Sequence, residues 1–352
     1  IDKTLQTPTE DEVGVFDFYE RVEWLKASAG FREKPTLLSQ ESFVGGYLKR
    51  YGFVTNLGYT YDATVGIPLN PATNIPTLQT SAWVTSSHGH NEHTLRRFVE
   101  SGSPFIFVGP EGSYRPNSKY PIPKDGISLA SSAAAVLNFS KEISFGHQYD
   151  FDPALRSVIG ESRGAMTAMG ILALDSVFNQ DVIFADLTAP CFPRKAEIRD
   201  ILKLSGHLIS EPRSILKLAG KLGLSRLIHY PSTIDPHPYS LAHQIAMGPA
   251  LFSGEAGDLA RLISNDKVLH ITCFDDDFAS MPKVWKDIFE NHNDVRITLL
   301  EGSHLTIADP ETLKYLVARN MALRQQLASN SNQNIDGQAI FDYAHHIVDT
   351  IS

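Results

Sequence analysis

Ser162 stands in the run Gly160-Glu161-Ser162-Arg163-Gly164, between the apolar Val158-Ile159 and a stretch of small and apolar residues that begins at Ala165. A serine on a sharp strand-to-helix turn needs small neighbours two positions to either side, because the two backbones pass close together there. Such a turn lifts the hydroxyl clear of the sheet and aims the first N–H groups of the helix back at it. The plainer alternative for the same residues is a glycine-flanked serine that caps a helix.

A serine hydroxyl becomes a nucleophile when an imidazole accepts its proton and a carboxylate holds that imidazole's other nitrogen. Of thirteen histidines, His304 in Glu301-Gly302-Ser303-His304-Leu305 has the best placement, just past an apolar run and on a loop. Asp275, Asp276 and Asp277 stand in a row after the apolar run Val268–Thr272. Three adjacent carboxylates repel one another if all are buried, so at most one points inward. Asp277 leaves room for one helix and one strand before His304 and is favoured, then Asp276, then Asp275; Asp186 is the outside candidate. Acyl transfer also needs donors for an oxyanion. The Arg163 amide is one, and the His90 amide, in Ser87-His88-Gly89-His90, is the second.

The elements that must position these groups alternate along the chain. Ala82–Thr85, Phe105–Val108, Val158–Ile159, Asp181–Ala185, Val268–Thr272 and Val295–Leu300 read as strands. Helices are expected at residues 92–100, 129–139, 165–177, 281–290 and 311–327. That alternation indicates an α/β fold with a mostly parallel sheet. Before it, residues 1–40 are polar with one amphipathic helix at Phe16–Ala27, and Phe53–Tyr61 alternates like a single half-buried strand. Residues 68–76 read as a loop, 329–334 as a polar linker and Ala339–Ile351 as a final helix.

Between 193 and 265 the alternation pauses in favour of helix. From Arg194 to His229 this region carries eight basic residues against three acidic ones. A solvated helical face is the expected reading, ahead of a membrane surface or an acidic partner. The whole chain, 352 residues with a formal charge of −9, lacks the basic footprint of a nucleic-acid partner. No stretch has the apolar length of a membrane span, and no cofactor or metal is expected. Two cysteines, Cys191 and Cys273, require no oxidising compartment. The chain opens on Ile1, so the compartment stays open, with the cytoplasm slightly favoured.

In this order the residues resemble an α/β-hydrolase over about residues 80–325. His88-Gly89 falls on that family's oxyanion loop, Gly160–Gly164 on its nucleophile elbow and Gly302-Ser303-His304 on its small-residue-plus-His signature. The resemblance implies a triad of Ser162, Asp277 and His304, and a carboxylic ester or related acyl bond as substrate. It also implies a core of 80–192 and 266–328, a helical cap at 193–265, an N-terminal extension with first strands at 1–79 and a C-terminal linker and helix at 329–352. The sequence departs from the family at Gly109-Pro110-Glu111-Gly112-Ser113-Tyr114-Arg115, where an acidic-x-Arg-Gly-x-Gly run is common, and in having no glycine ahead of its aspartates.

A peptidase or amidase would use the same triad, and a binding protein on the same fold would leave it idle. A different chemistry is suggested by His88-Gly89-His90-Asn91-Glu92-His93, which resembles the H-x-H-x-D-H run of metallo-β-lactamase-like hydrolases. Zinc on His88, His90 and His93 would need further ligands, and Gly146-His147 is the one weak candidate.

Overall fold

Successive side chains of the central strands are buried without alternation, so the sheet has two buried faces and helices must cover both. The computed structural model describes residues 30–56, 60–72, 76–80, 95–108, 129–146, 149, 151, 157–178, 181–195, 197, 253–275, 281–302, 310–329 and 335–348. Its strands are β1 (Phe31–Phe43), β2 (Gly46–Thr55), β3 (Thr60–Pro68), β4 (Thr77–Thr80), β5 (Phe105–Val108), β6 (Ser157–Glu161), β7 (Phe184–Thr188), β8 (Val268–Phe274) and β9 (Val295–Leu300). They form one sheet in the order β1-β2-β3-β5-β4-β6-β7-β8-β9. Pairing is antiparallel from β1 to β5 and parallel from β5 to β9.

The helices are α1 (Leu129–Gly146), α2 (Arg163–Phe178), α3 (Glu255–Ala260), α4 (Pro282–Ile288), α5 (Pro310–Ser329) and α6 (Gly337–Ile347). On one face Val158, Ala185, Leu269 and Ile271 pack with α1, α2, α3 and Trp285 of α4. On the other, Ile159 packs with helical residues 95–100 and with α5, while Phe184 and Val268 pack with α5 and α6. Neighbouring residues of one strand thus serve opposite cores. α2 is apolar nearly all round, as suits a helix buried on most sides. No helix among the described residues is long and apolar enough to cross a membrane.

Several expected elements are redrawn. The single strand expected at Phe53–Tyr61 takes in the end of β2 and the start of β3. Phe53 and Tyr61 are cross-strand partners with rings stacked 5.0 Å apart, so the alternation belonged to two strands. β1 begins within the stretch read as polar and runs three residues past it; it is a largely exposed edge strand and carries no apolar period. β7 begins three residues later than expected, after Asp181 takes a left-handed φ of 51°, which interrupts an extended chain. Asp186 therefore lies inside a strand rather than after one. β4 at Thr77–Thr80 was not anticipated, and the strand expected at 82–85 lies outside the described residues. So do the helix at 16–27 and residues 201–252 of the pause. Ala256, Leu259 and Ala260 of α3, read with the helical insertion, belong to the main core cluster.

The second face also buries charge. Arg319 on α5 donates to both oxygens of Asp186 on β7, through Nε and through Nη2 at 3.0 Å. His270 on β8 places Nδ1 3.2 Å from Asp186 Oδ1 and Nε2 2.9 Å from the Thr298 hydroxyl. Burial alone would push the Asp186 carboxyl up; Arg319 and His270 outweigh it and hold it below the ordinary value. Burial, then the neighbouring Arg319 charge, push the His270 imidazole down to about 4. A neutral ring fits this network as a donor at Nδ1 and an acceptor at Nε2.

Candidate active site

β6 ends at Glu161, α2 begins at Arg163, and Ser162 alone forms the turn between them. Its φ is 53°, in the left-handed region that a side chain makes unfavourable. The Ser162 N–H donates to the Thr188 carbonyl at the end of β7, 2.8 Å away, and its carbonyl accepts from Ala165 N at 3.0 Å. The backbone is held on both sides, and the half-buried side chain stands above the parallel strand ends. Helix α2 starts at the next residue, so the Arg163 amide lies at a helix N-terminus, where N–H groups have no intrahelical acceptor.

Gly160 shows why the run needs small residues. A Cβ there would sit 2.5 Å from Ala165 Cα, 2.5 Å from the Gly164 carbonyl oxygen and 2.6 Å from Ala165 N, all of them backbone atoms that no rotamer change can move. Gly160→Ala is expected to cost about 3 kcal/mol, at the upper end of overpacking penalties, and to lower the thermal midpoint measurably. A Gly160→Ala protein that melts with wild type would contradict this close passage.

Three partners of the turn were not legible in the sequence. The Thr80 hydroxyl at the end of β4 donates to the Gly164 carbonyl at 2.6 Å, with the Ile159 carbonyl 3.3 Å away as a weaker acceptor. This ties the elbow to β4, the strand that precedes His88 and His90 in the sequence. Cys191 places its sulfur 3.6 Å from Ser162 Oγ; it and Cys273 are buried and form no disulfide. Glu255 on α3 accepts from the N–H groups of Leu129 and Ala130 at the start of α1, at 2.9 and 3.0 Å. Burial pushes its carboxyl up, while those bonds and the charge of Arg163 pull the other way. Buried Arg163 and half-buried Glu255 thereby link the residue after Ser162 to the neighbouring helices.

The segment after β7 is shaped against local preference. Ala189 and Phe192 have φ of 48° and 43°, so two of the five non-glycine residues with positive φ among the described residues lie here. Fixed contacts hold them: the Ala189 N–H donates to the Thr272 carbonyl at 2.7 Å, and Trp285 Nε1 to the Pro190 carbonyl at 3.2 Å. Strained backbone of this kind persists where surrounding structure over-determines it, and it gathers at functional sites.

Of the other candidates, Asp275 is exposed at the end of β8, and its carboxylate accepts from the Gly302 N–H at 2.8 Å. Its own N–H donates to the Leu300 carbonyl at 3.0 Å. Asp275 thus braces the turn that precedes His304. Asp186 is engaged by Arg319 and His270 on the far face of the sheet. Asp276, Asp277, His304, His88, His90 and His93 lie outside the described residues, as does His147. Gly146 is the last residue of α1.

No family model matches the sequence, and no curated protein matches it significantly. Solved structures do match the fold. The peroxisomal α/β-hydrolase Lpx1 of Saccharomyces cerevisiae is similar with a TM-score of 0.56 at 14% identity, over 90% of this chain and 98% of that one. A carboxylesterase structure from the thaumarchaeon Nitrososphaera gargenis matches with a TM-score of 0.52 at 13% identity, over 82% of this chain and 99% of that one. Acetyl xylan esterase 1 from Thermoanaerobacterium matches with a TM-score of 0.50 at 11% identity, over 82% and 88%.

Proposed function

We propose, from the α/β-hydrolase fold that this chain adopts, that it is a serine hydrolase that cleaves a carboxylic ester with Ser162 as nucleophile. The observation that carries this reading is the backbone of Ser162: a non-glycine residue held at φ 53° in the one-residue turn between β6 and α2, strain of the kind that gathers at functional sites. Two of the similar folds belong to proteins named as a carboxylesterase and an acetyl xylan esterase, which favours an ester over an amide.

In this mechanism His304 accepts the Ser162 proton as Oγ attacks the acyl carbon, and Asp277 orients the imidazole. The amides of Arg163 and His90 receive the oxyanion. The C–O bond to the alcohol then breaks, and the alcohol leaves with the proton from His304. Water, deprotonated by the same imidazole, attacks the acyl-enzyme; Ser162 recovers its proton and the carboxylate is released. Asp275, committed to Gly302, acts by bracing the histidine loop, and the insertion at 193–265 supplies the substrate pocket.

A fluorophosphonate probe followed by peptide mapping tests the assignment. Labelling is expected at Ser162 and is expected to fade in His304→Ala. Absence of labelling, with ester hydrolysis abolished by a chelator, would overturn the serine reading and move the chemistry to His88, His90 and His93. Labelling at Ser162 with turnover of amides but not esters would replace an esterase by a peptidase or amidase.

A further inference from the structure

A cleft of about 620 Å³ opens between β9, α5 and α6, on the sheet face that buries Asp186, and Ser162 is not among its lining residues. That volume is ample for a small molecule. Thr272, Thr298 and the His270 ring form its inner wall, and Phe341, Tyr315 and Leu300 give it apolar surface. Arg296 on β9 reaches in from the exposed side, its guanidinium stacked 4.9 Å from the Phe341 ring.

Arg319 carries the argument. It is 6% exposed and lines the cleft. Nε and Nη2 are spent on Asp186, whereas Nη1 makes no hydrogen bond among the described residues. Nη1 is not among the buried polar atoms left without a partner, so it is open to the cleft, and a carboxylate oxygen is the acceptor that suits a guanidinium N–H best. Asp342 at the same cleft is held instead by the Gln338 amide at 2.7 Å. Because Asp186 answers Arg319 and Asp342 adds a second carboxylate to a lining that includes Arg296, little net positive charge is left. That disfavours a dianion and favours a monoanion with an apolar part.

We propose that this cleft is a binding site for a small organic carboxylate, separate from the Ser162 site. The carboxylate is taken by Arg319 Nη1 and the Arg296 guanidinium, and the apolar tail lies against Phe341 and Leu300. The site needs no reaction at Ser162 and stands whether or not the chain hydrolyses esters.

Hexanoate is the probe, titrated by saturation-transfer NMR against the full chain. Saturable binding is expected, weakened roughly tenfold or more in Arg296→Gln through loss of a charge-assisted bond, and unchanged in Ser162→Ala. Arg296 is exposed, so the variant should keep the wild-type thermal midpoint; Arg296→Lys, which keeps the charge, should restore part of the affinity. Absence of saturable hexanoate binding overturns the proposal, as does equal affinity for hexan-1-ol or for inorganic phosphate. Binding that survives Arg296→Gln but is lost in Ser162→Ala would place the carboxylate at the nucleophile and overturn it equally.

Discussion

Ser162→Ala is expected to lower kcat/KM for p-nitrophenyl acetate by roughly 10⁴-fold or more, the scale on which loss of a serine nucleophile acts. The fold should survive, because the Ser162 backbone N–H and carbonyl, which anchor the turn, are kept in alanine. Ser162→Gly sharpens the test. Glycine accepts a φ of 53° without the Cβ penalty, so this variant should be as inactive as alanine and more stable by about 1 kcal/mol, the cost of a left-handed side-chain residue. The residue most needed for chemistry would then be one that the fold is better without. Steady-state kinetics and urea midpoints on the two variants measure both halves. Retained activity in either variant would remove Ser162 as nucleophile, and a Ser162→Gly protein less stable than Ser162→Ala would remove the strain.

The elbow could be read in the sequence because its demands are local. Gly160 must be small to clear Ala165, and that requirement spans five residues. The parallel strands β5, β6, β8 and β9 were legible for a similar reason: β5, β6 and β8 are short, largely apolar runs, and β9 alternates apolar Val295, Ile297 and Leu299 with Arg296 and Thr298. Thr80, Cys191 and Glu255 were not. Each acts across a long separation, Thr80 on Gly164 and Glu255 on Leu129, and nothing in the residue types nearby marks such a partner. β1 escaped because an edge strand open to solvent needs no apolar alternation. Asp186 was displaced from the end of its strand to the middle once Asp181 broke the extension. That displacement moves a carboxylate from the catalytic edge to the far face, where it meets Arg319 and His270.

That buried trio supplies the second large effect. Arg319→Met is expected to destabilise the fold by about 3–5 kcal/mol, because it leaves the Asp186 carboxylate buried without its main countercharge. The pH dependence separates this cause from lost packing. In the wild type the folded imidazole of His270 takes a proton only near pH 4, against an ordinary value of 6.5. Between those values the unfolded chain binds more protons than the folded one. This group's contribution is therefore complete above pH 6.5 and is lost as the solution is acidified toward 4. Without Arg319, the Asp186 carboxylate 3.2 Å from Nδ1 has His270 as its remaining cation, and the imidazole pKa rises. Protonation then restores a buried ion pair, so the deficit of Arg319→Met should be largest near pH 8 and shrink by pH 5. Urea midpoints at the two pH values measure it. A deficit that stays constant would assign the loss to packing, and one that grows in acid would mean that His270 does not answer Asp186.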